Sequence, residues 1–225
     1  LVDGGALPAS SELGALNVPT FYIGKTEVTW GDWKAVQAWA VANGYPDLAN
    51  VGTGLSDKHP VTELNWYEAI KWCNARSEKE GKAPVYMTGG NVYRTGQAAP
   101  DEIFSADGYR LPSEKEWEFA ARGGTKTNGY TYSGSNDLNA VGWYDENSGY
   151  AVKEVGKKQA NELGIYDMSG NVWEWCWDKD ESISACRIRG GSWMELDGKG
   201  TVSYRVSRSP ETRYTVIGFR VARNV

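Results

Sequence analysis

The residues able to act as nucleophiles or soft metal ligands are few: three cysteines, Cys73, Cys176 and Cys186, and a single histidine, His59. The cysteines fit no zinc-binding spacing, and one histidine excludes sites that need two or more, such as a zinc hydrolase or a two-histidine iron oxygenase. A Ser-His-Asp triad would have to use His59, which lies in a loop before Pro60 with no nucleophile motif nearby. We expect the cysteines to be small buried apolar residues, and a Cys176–Cys186 disulfide bond stays open.

The composition is that of an acidic globular chain rich in tryptophan and glycine. Its 225 residues suit one large domain or two small ones, and they include 11 Trp and 27 Gly. This excess favours a loop-rich fold in which large rings act as separate packing centres. A net charge of −5 and an isoelectric point near 5.1 argue against nucleic acid or an anionic membrane as the main partner. No apolar run is long enough to span a bilayer.

Three helices are predicted from their start and stop signals. In chain order these signals are Thr29 and Gly44, Asn65 with Glu68 and Gly81, and Ser113 with Glu116 and Gly123. Their inner faces are predicted to carry Trp33, Val36 and Ala40, then Trp66, Ala69, Ile70 and Cys73, then Trp117 and Ala120. The helices occupy the first half of the chain, and short strands are expected later, which makes the fold class α+β.

Between and before these helices, three segments need a separate description. Residues 1–20 are small and without period, so we expect a loose or docked N-terminal arm. Residues 21–28 are predicted to form a strand. Residues 124–164 are mostly Gly, Asn, Ser, Tyr and Asp, which predicts loops with short strands. With no linker in the sequence, residues 21–225 are expected to form a single domain.

The C-terminal segment combines two ordered ends with an irregular middle. Ile217, Phe219 and Val221 alternate with smaller or polar residues, which predicts a strand with one buried face. Gly190 and Gly191 indicate close backbone packing before Trp193, whose ring is predicted to be buried. The residues between these ends follow no pattern.

Several motifs then occur in a fixed order. They are FYIGKTEVT at 21–29, PV at 60–61, YRLPSEKEWEFAARGG at 109–124, NELGIYDMSGNVWEW at 161–175, RGGSW at 189–193 and GFRVA at 218–222. Together they resemble the formylglycine-generating-enzyme (sulfatase-modifying factor) family, over residues 21–224. The resemblance implies a loop-rich variant of the C-type lectin fold.

The resemblance also implies what chemistry is missing. The oxidases of this family carry two cysteines after the Gly-Gly-Ser-aromatic motif, where they bind copper. Here Glu195 occupies the position of the first cysteine, and no cysteine follows Cys186. The histidine-rich iron site of the ergothioneine-type members is absent as well. Without thiolates no redox metal can be held in the family's way, so we predict a protein that is not an enzyme and has no redox cofactor.

The remaining motifs resemble another branch of this family, the variable proteins of diversity-generating retroelements, including treponeme variable lipoproteins. In that branch a C-terminal variable region, here about 189–225, forms a ligand-binding surface. Loops held at both ends can change side chains without disturbing a core. The predicted variable, ligand-binding positions are Met194, Glu195, Leu196, Val206, Ser207, Arg208, Ser209, Glu211, Thr212, Tyr214, Thr215 and Val216.

The predicted variable positions differ in whether a randomised AAC codon can encode their residues. Randomising the adenines of an AAC codon can yield Val, Ser, Arg, Thr or Tyr, among others, but never Met or Glu. Met194, Glu195 and Glu211 therefore need another template codon or are fixed. The alternative is that all twelve are ordinary loop residues of a family member with another role. Arg205 and Arg213 are expected to form ion pairs with acidic neighbours.

The motif around Asp167 matches a calcium loop of the family. The resemblance implies ligands from the carboxylates of Asp167 and Glu174 and from the backbone of Gly170 and Val172. Hard oxygen ligands suit Ca²⁺, and the ion would be structural. In the alternative, Asp167 caps a turn and Glu174 pairs with an arginine. The sequence contains no Glu-Pro-Asn or Gln-Pro-Asp sugar-binding triplet of C-type lectins.

These observations predict a non-catalytic, monomeric binding protein displayed on a bacterial cell surface. Its ligand is expected to be a protein on a host or neighbouring cell. Because the chain begins with Leu1, we expect membrane attachment only through a removed N-terminal lipid tether. The alternatives are a catalytic family member with an unrecognised site and an accessory subunit that pairs with an active homologue.

Overall fold

The structure is a computed structural model that describes residues 1–180 and 182–225. Its helices are α1 (Trp30–Ala42), α2 (Trp66–Lys79), α3 (Glu114–Ala121), α4 (Leu138–Val141) and α5 (Asp145–Ser148), with 3₁₀ turns at Pro46–Leu48, Gly124–Lys126 and Asp197–Gly200. The predicted caps are confirmed: the side chains of Thr29, Asn65 and Ser113 each accept the backbone N–H at the third helical position. Capping boxes with Glu68 and Glu116 complete two of these N-termini.

Twelve short strands form four small sheets among the described residues. The strands are β1 (Gly5–Ala6), β2 (Asn17–Val18), β3 (Phe21–Ile23), β4 (Tyr86–Thr88), β5 (Asn91–Val92), β6 (Asp101–Glu102), β7 (Tyr109–Arg110), β8 (Trp173–Asp180), β9 (Ala185–Arg189), β10 (Arg205–Arg208), β11 (Ile217–Gly218) and β12 (Ala222–Asn224). The sheet orders are β1-β2, β10-β9-β8-β11, β3-β12-β7 and β5-β4-β6. Of the last two strands, β11 lies parallel to β8 and β12 lies antiparallel to β3 and β7.

Tryptophans lie at the centre of the core, as the composition predicts. One cluster packs α1 and α2 against β8 and β9, and the stacked rings of Trp33 and Trp72 have centroids 5.8 Å apart. A second cluster surrounds Trp117 on α3 and includes Cys176. The first twenty residues dock against this second cluster, because Val2, Leu7 and Val18 are buried in it.

Three strand predictions were wrong in detail. Of residues 21–28 only β3 is a strand. The segment 124–164 forms two short helices and a 3₁₀ turn instead of short strands. The final predicted strand is two strands in different sheets, and Gly218 and Arg220 are buried while Val221 is only half-buried. The alternation fails because the segment leaves the sheet of β8 and joins the sheet of β3 and β7, so it does not present one face of a single sheet to solvent.

Within the described ranges 1–180 and 182–225, none of the helices has the length and apolar character needed to cross a bilayer.

Candidate functional site

The Gly-Gly-Ser segment before the predicted variable loops is fastened to the turn that carries Asp167. Gly190 and Gly191 adopt φ angles of 98° and 79°, a region that favours glycine. The Gly190 carbonyl accepts the Gly170 N–H at 2.7 Å, and the Trp193 N–H donates to the Asn171 carbonyl at 2.8 Å. These bonds fix the backbone just before the first block of predicted variable residues, 194–196.

A buried ion pair holds the other end of the segment. Arg220 donates through Nε and one terminal nitrogen to both oxygens of Glu174, each at 2.6 Å, and neither side chain has exposed surface. The Trp117 indole N–H donates to the same carboxylate at 2.7 Å. Strand β8, helix α3 and the chain after β11 are thereby joined at one point. Both ends of the variable segment are therefore held by buried contacts.

All twelve predicted variable residues lie at least partly at the surface. The exposed ones are Met194, Leu196, Arg208, Ser209, Glu211, Tyr214 and Thr215, and the half-buried ones are Glu195, Val206, Ser207, Thr212 and Val216. By contrast the flanking residues Arg189, Ser192, Ile217 and Phe219 are buried. The segment thus has two parts. We call the buried flanking residues and their bonded partners the frame, and the exposed residues between them the filling.

Some of the half-buried positions belong more to the frame than to the filling. Glu195 accepts the Trp173 indole N–H at 3.2 Å, and its carbonyl accepts the Asp145 N–H at 3.1 Å. Val206 and Val216 pack against the first core cluster. The second block of predicted variable residues, 206–216, was predicted to be a loop. This prediction was wrong for its first residues, since β10 pairs with β9 along its whole length. The region free to vary is narrower than the sequence predicts.

The second block lies against the N-terminal end of α2. The carbonyls of Pro210 and Tyr214 accept the N–H groups of Trp66 and Glu63, at 3.0 and 3.1 Å. The Arg213 guanidinium pairs with Glu68. On the other side, Arg205 pairs with Glu114 at 2.5 Å. Both arginines therefore make the ion pairs expected of them. These pairs hold the loop against its neighbours.

A cleft of about 310 Å³ opens beside these loops. Its walls come from three separate parts of the chain and carry no charged side chain: Thr53, Gly54, Leu55 and Thr62, then Tyr150, Ala151 and Val152, then Trp193 and Thr215. The Trp193 ring is half-buried in this wall and not fully buried as predicted. Of the predicted variable residues, only Thr215 lines the cleft. No pattern in the sequence points to Leu55 or Tyr150, because they are distant in the chain and lie in segments without periodicity.

The calcium ligands predicted at Asp167 and Glu174 are only partly available. Both Glu174 oxygens bind Arg220, which favours the ion-pair alternative for that residue. Asp167, at φ 58°, accepts the Gly156 N–H at 2.6 Å through one oxygen, and its other oxygen is buried without a partner. Over the described ranges, no group of three or more acidic, His or Cys side chains is arranged to hold a metal. A calcium ion at this turn would therefore depend on Asp167 and the backbone of Gly170 and Val172.

A second unpartnered oxygen lies nearby, on Glu27. One Glu27 oxygen accepts the Asn171 amide at 3.0 Å, and the other is buried without a partner. Burial, followed by the negative charges of Asp167 and Glu174, raises the pKa of Glu27 well above its ordinary value. The turn therefore holds excess negative charge that a proton or a cation would relieve.

The thiols and the histidine do not form a reactive centre. All three cysteines are free and buried, so the Cys176–Cys186 bond is not formed. Burial raises the pKa of Cys186 to about 12 and the pKa values of Cys73 and Cys176 well above the ordinary value. The His59 Nδ1 lies 2.8 Å from the Ser56 hydroxyl in a surface loop, and the described residues place no carboxylate in a hydrogen bond to that ring. Neither nucleophilic thiolate nor triad chemistry follows from this geometry.

Comparison with known proteins identifies relatives of this fold. The model of the sulfatase-modifying factor enzyme 1-like domain matches residues 4–225. Chaperone protein LppX of Paenibacillus barcinonensis is 37% identical over 91% of this chain and 81% of its own length. The inactive C-alpha-formylglycine-generating enzyme 2 of Mus musculus is 32% identical over 77% of this chain and 53% of its own length. Treponema denticola variable protein 1 has a TM-score of 0.81 at 32% identity, over 100% of this chain and 93% of that chain.

These matches confirm the predicted α+β architecture as a C-type lectin fold of the formylglycine-generating-enzyme type. They confirm the resemblance to the variable proteins as well. Similarity to an inactive enzyme homologue and to a variable protein fits a non-catalytic role. The chain belongs to the family of sulfatase-modifying factor enzyme 1-like domains.

Proposed function

We propose that this chain is a non-catalytic binding domain whose C-terminal loops form a ligand-binding face diversified by a retroelement. One observation carries the proposal: the residues predicted to vary are at the surface, while the residues that flank them are buried and bonded. A surface of this kind can exchange side chains at little cost, because most substitutions away from buried contacts change stability by less than about 0.5 kcal/mol.

The composition of this face favours a protein ligand. Met194, Leu196 and Tyr214 are large apolar side chains exposed to solvent, and Arg208 and Ser209 lie on the same C-terminal segment. Exposed tyrosine, arginine and methionine are enriched at protein interfaces, and tyrosine with serine is typical of adaptable binding loops. We therefore propose a protein on a host or neighbouring cell as the ligand. Display on a bacterial surface through a lipid anchor is proposed from the resemblance to the treponeme variable lipoproteins.

Diversification is supported by position and by codon chemistry together. Ser207, Arg208, Ser209, Thr212, Tyr214 and Thr215 are all accessible from a randomised AAC codon, and all six are exposed or half-buried. Glu195, which that codon does not produce, is bonded to Trp173. The residues that codon chemistry marks as free are therefore concentrated in the second block.

A fixed protein-binding role is the second candidate. It is favoured by the 37% identity to a protein named as a chaperone. Such a domain would also bind protein through an exposed apolar face, but with one partner and an unvarying surface. An accessory subunit that pairs with an active homologue belongs to the same class.

A display library tests the proposal directly. The seven exposed variable positions are randomised, and the library is selected first for folding and then for binding to unrelated proteins. A control library randomises seven exposed positions outside the variable segment, including Leu16, Tyr22 and Phe104. The proposal predicts that both libraries fold and that binders come from the C-terminal library alone. Failure of most C-terminal variants to fold, or an equal yield of binders from both libraries, would overturn it.

A further inference from the structure

The uncharged cleft beside the variable loops contains two exposed apolar side chains that folding does not explain. Leu55 is 71% exposed and Tyr150 is 78% exposed, and both line this cleft. They lie in different segments, 95 residues apart, and neither is a predicted variable position. Exposed apolar groups gathered on one concave surface indicate a binding site more often than single scattered ones do.

The walls of the cleft are preformed. Thr53 and Thr62 exchange both backbone hydrogen bonds, at 2.9 and 3.0 Å, which fixes the Leu55 wall. The Ser148 hydroxyl donates to the Trp193 carbonyl at 2.8 Å and accepts the Tyr150 N–H at 3.1 Å. One serine therefore joins the tyrosine wall to the tryptophan wall. A site that is already ordered loses little entropy when a ligand binds.

The chemistry of the lining determines what fits. A cavity of about 310 Å³ is at the small end of ligand pockets, and its side chains are threonine hydroxyls, aliphatic groups and two aromatic rings. By contrast, the neighbouring polar cleft is lined by Asp47, Glu68, Lys71 and Arg213. Burying a charged group against an uncharged wall is costly. The lining therefore favours an uncharged occupant, and Leu55, Val152 and the two rings offer it apolar contacts.

We propose that this cleft is a constant anchor site, which receives one protruding aliphatic or aromatic side chain of the protein ligand whatever the variable residues are. The inference rests on the proposed function and specifies its ligand. The cleft is continuous with the variable face through Thr215 and through Trp193, which precedes Met194. Because eight of its nine lining residues are outside the variable positions, the anchor persists while the surrounding loops select the partner.

The first test uses small probes on the folded chain. N-acetyl-leucinamide and N-acetyl-tryptophanamide are titrated and followed by the indole and amide NMR signals of Trp193 and its neighbours. N-acetyl-lysinamide and N-acetyl-aspartamide serve as charged controls. We expect saturable shifts at Trp193, Val152 and Thr215 with the apolar amides only. Absence of shifts at the cleft, or equal shifts with the charged amides, would overturn the anchor site without bearing on the proposed function.

The second test uses binders selected from the C-terminal library against different proteins. Leu55→Ala and Tyr150→Ala are placed in each binder, with Phe104→Ala, a 74% exposed residue that does not line the cleft, as the matched control. We expect a loss on the order of tenfold in affinity for every binder with either cleft variant, as for a buried interface anchor, and no loss with the control. Unchanged affinities in binders that respond to their variable residues would refute the anchor and leave the proposed function standing. Thermal unfolding of each variant verifies that the fold is retained.

Discussion

Glu174 on β8 and Arg220 after β11 form a fully buried ion pair, with two hydrogen bonds of 2.6 Å. Their pairing connects the turn that carries Asp167 to the C-terminal end of the variable segment. Removing one partner breaks both hydrogen bonds and leaves the other buried charge without its hydrogen-bonded counter-charge. The pair is therefore expected to be the most sensitive point of the frame.

Glu174→Gln should lower the free energy of unfolding by about 3 kcal/mol, because Arg220 would lose its hydrogen-bonded counter-charge and be compensated only in part by the nearby carboxylates of Glu27 and Asp167. Urea unfolding measures this change. The matched control is Lys34→Met, which breaks the pair with Asp57, whose side chains are 46% and 73% exposed, and which should cost less than about 1 kcal/mol. Similar losses in the two variants would contradict the assignment of Glu174 and Arg220 to the frame.

Residues of the frame and of the filling are predicted to differ in how much a substitution lowers the stability of the fold. Gly190→Ala should destabilise the fold by about 1–3 kcal/mol, since its φ is 98° and an added Cβ would lie 3.2 Å from the Trp117 ring. Met194→Ala, four residues later, should change stability by less than about 0.5 kcal/mol. Val216→Ala should fall between them, because Val216 packs on the core. Thermal unfolding ranks the three variants, and any other order would contradict this description.

The sequence predicts best those features that depend on residues close together in the chain. The helix caps at Thr29, Asn65 and Ser113 were predicted correctly because capping depends on residues three positions apart. The strand containing Arg220 was predicted with a polar side facing outward, since period-2 patterning assumes one solvated face. Arg220 is buried because Glu174, 46 residues away in the sequence, neutralises it, and a local pattern does not contain that information.

The same limit applies to the candidate site. The variable positions were identified by family resemblance and all reach the surface, but the resemblance did not reveal that Glu195, Val206 and Val216 contact the frame. The cleft was missed because it forms only when Leu55 and Tyr150 are brought together by the fold.

The raised pKa of Glu102 predicts that the free energy of unfolding depends on pH. Burial, opposed by Arg110 at 3.9 Å and reinforced by Glu116, raises the pKa of Glu102 to about 7. A raised pKa in the folded state means that the stability contributed by Glu102 is complete below its ordinary pKa, near 4.3, and is lost as the pH rises through about 7. Glu102→Gln should therefore be more stable than the parent at pH 8, by about 2 kcal/mol, and equal to it at pH 4. Urea unfolding at both pH values measures this, with the exposed Asp101→Asn as control; an equal effect at both pH values would refute the raised pKa.

Calcium provides a test of the turn at Asp167. Addition of millimolar Ca²⁺ should raise the unfolding temperature, because an ion that binds only the folded state stabilises it and Asp167 has an oxygen without a partner. Asp167→Asn should remove the response, and Mg²⁺ should not replace Ca²⁺, since it requires a stricter geometry. An unfolding temperature that is independent of Ca²⁺ would mean that contacts within the protein secure this turn without an ion.

The central claim is that the C-terminal face is diversified, and sequencing the 3′ end of the gene in many cells of one lineage, with its flanking DNA, tests it most directly. We predict differences confined to codons of the exposed filling, chiefly Ser207 to Thr215, beside an invariant near-copy of the segment. Codons for Gly190, Gly191 and Arg220 should not change. An invariant segment without a near-copy would contradict diversification and would favour a fixed protein-binding role.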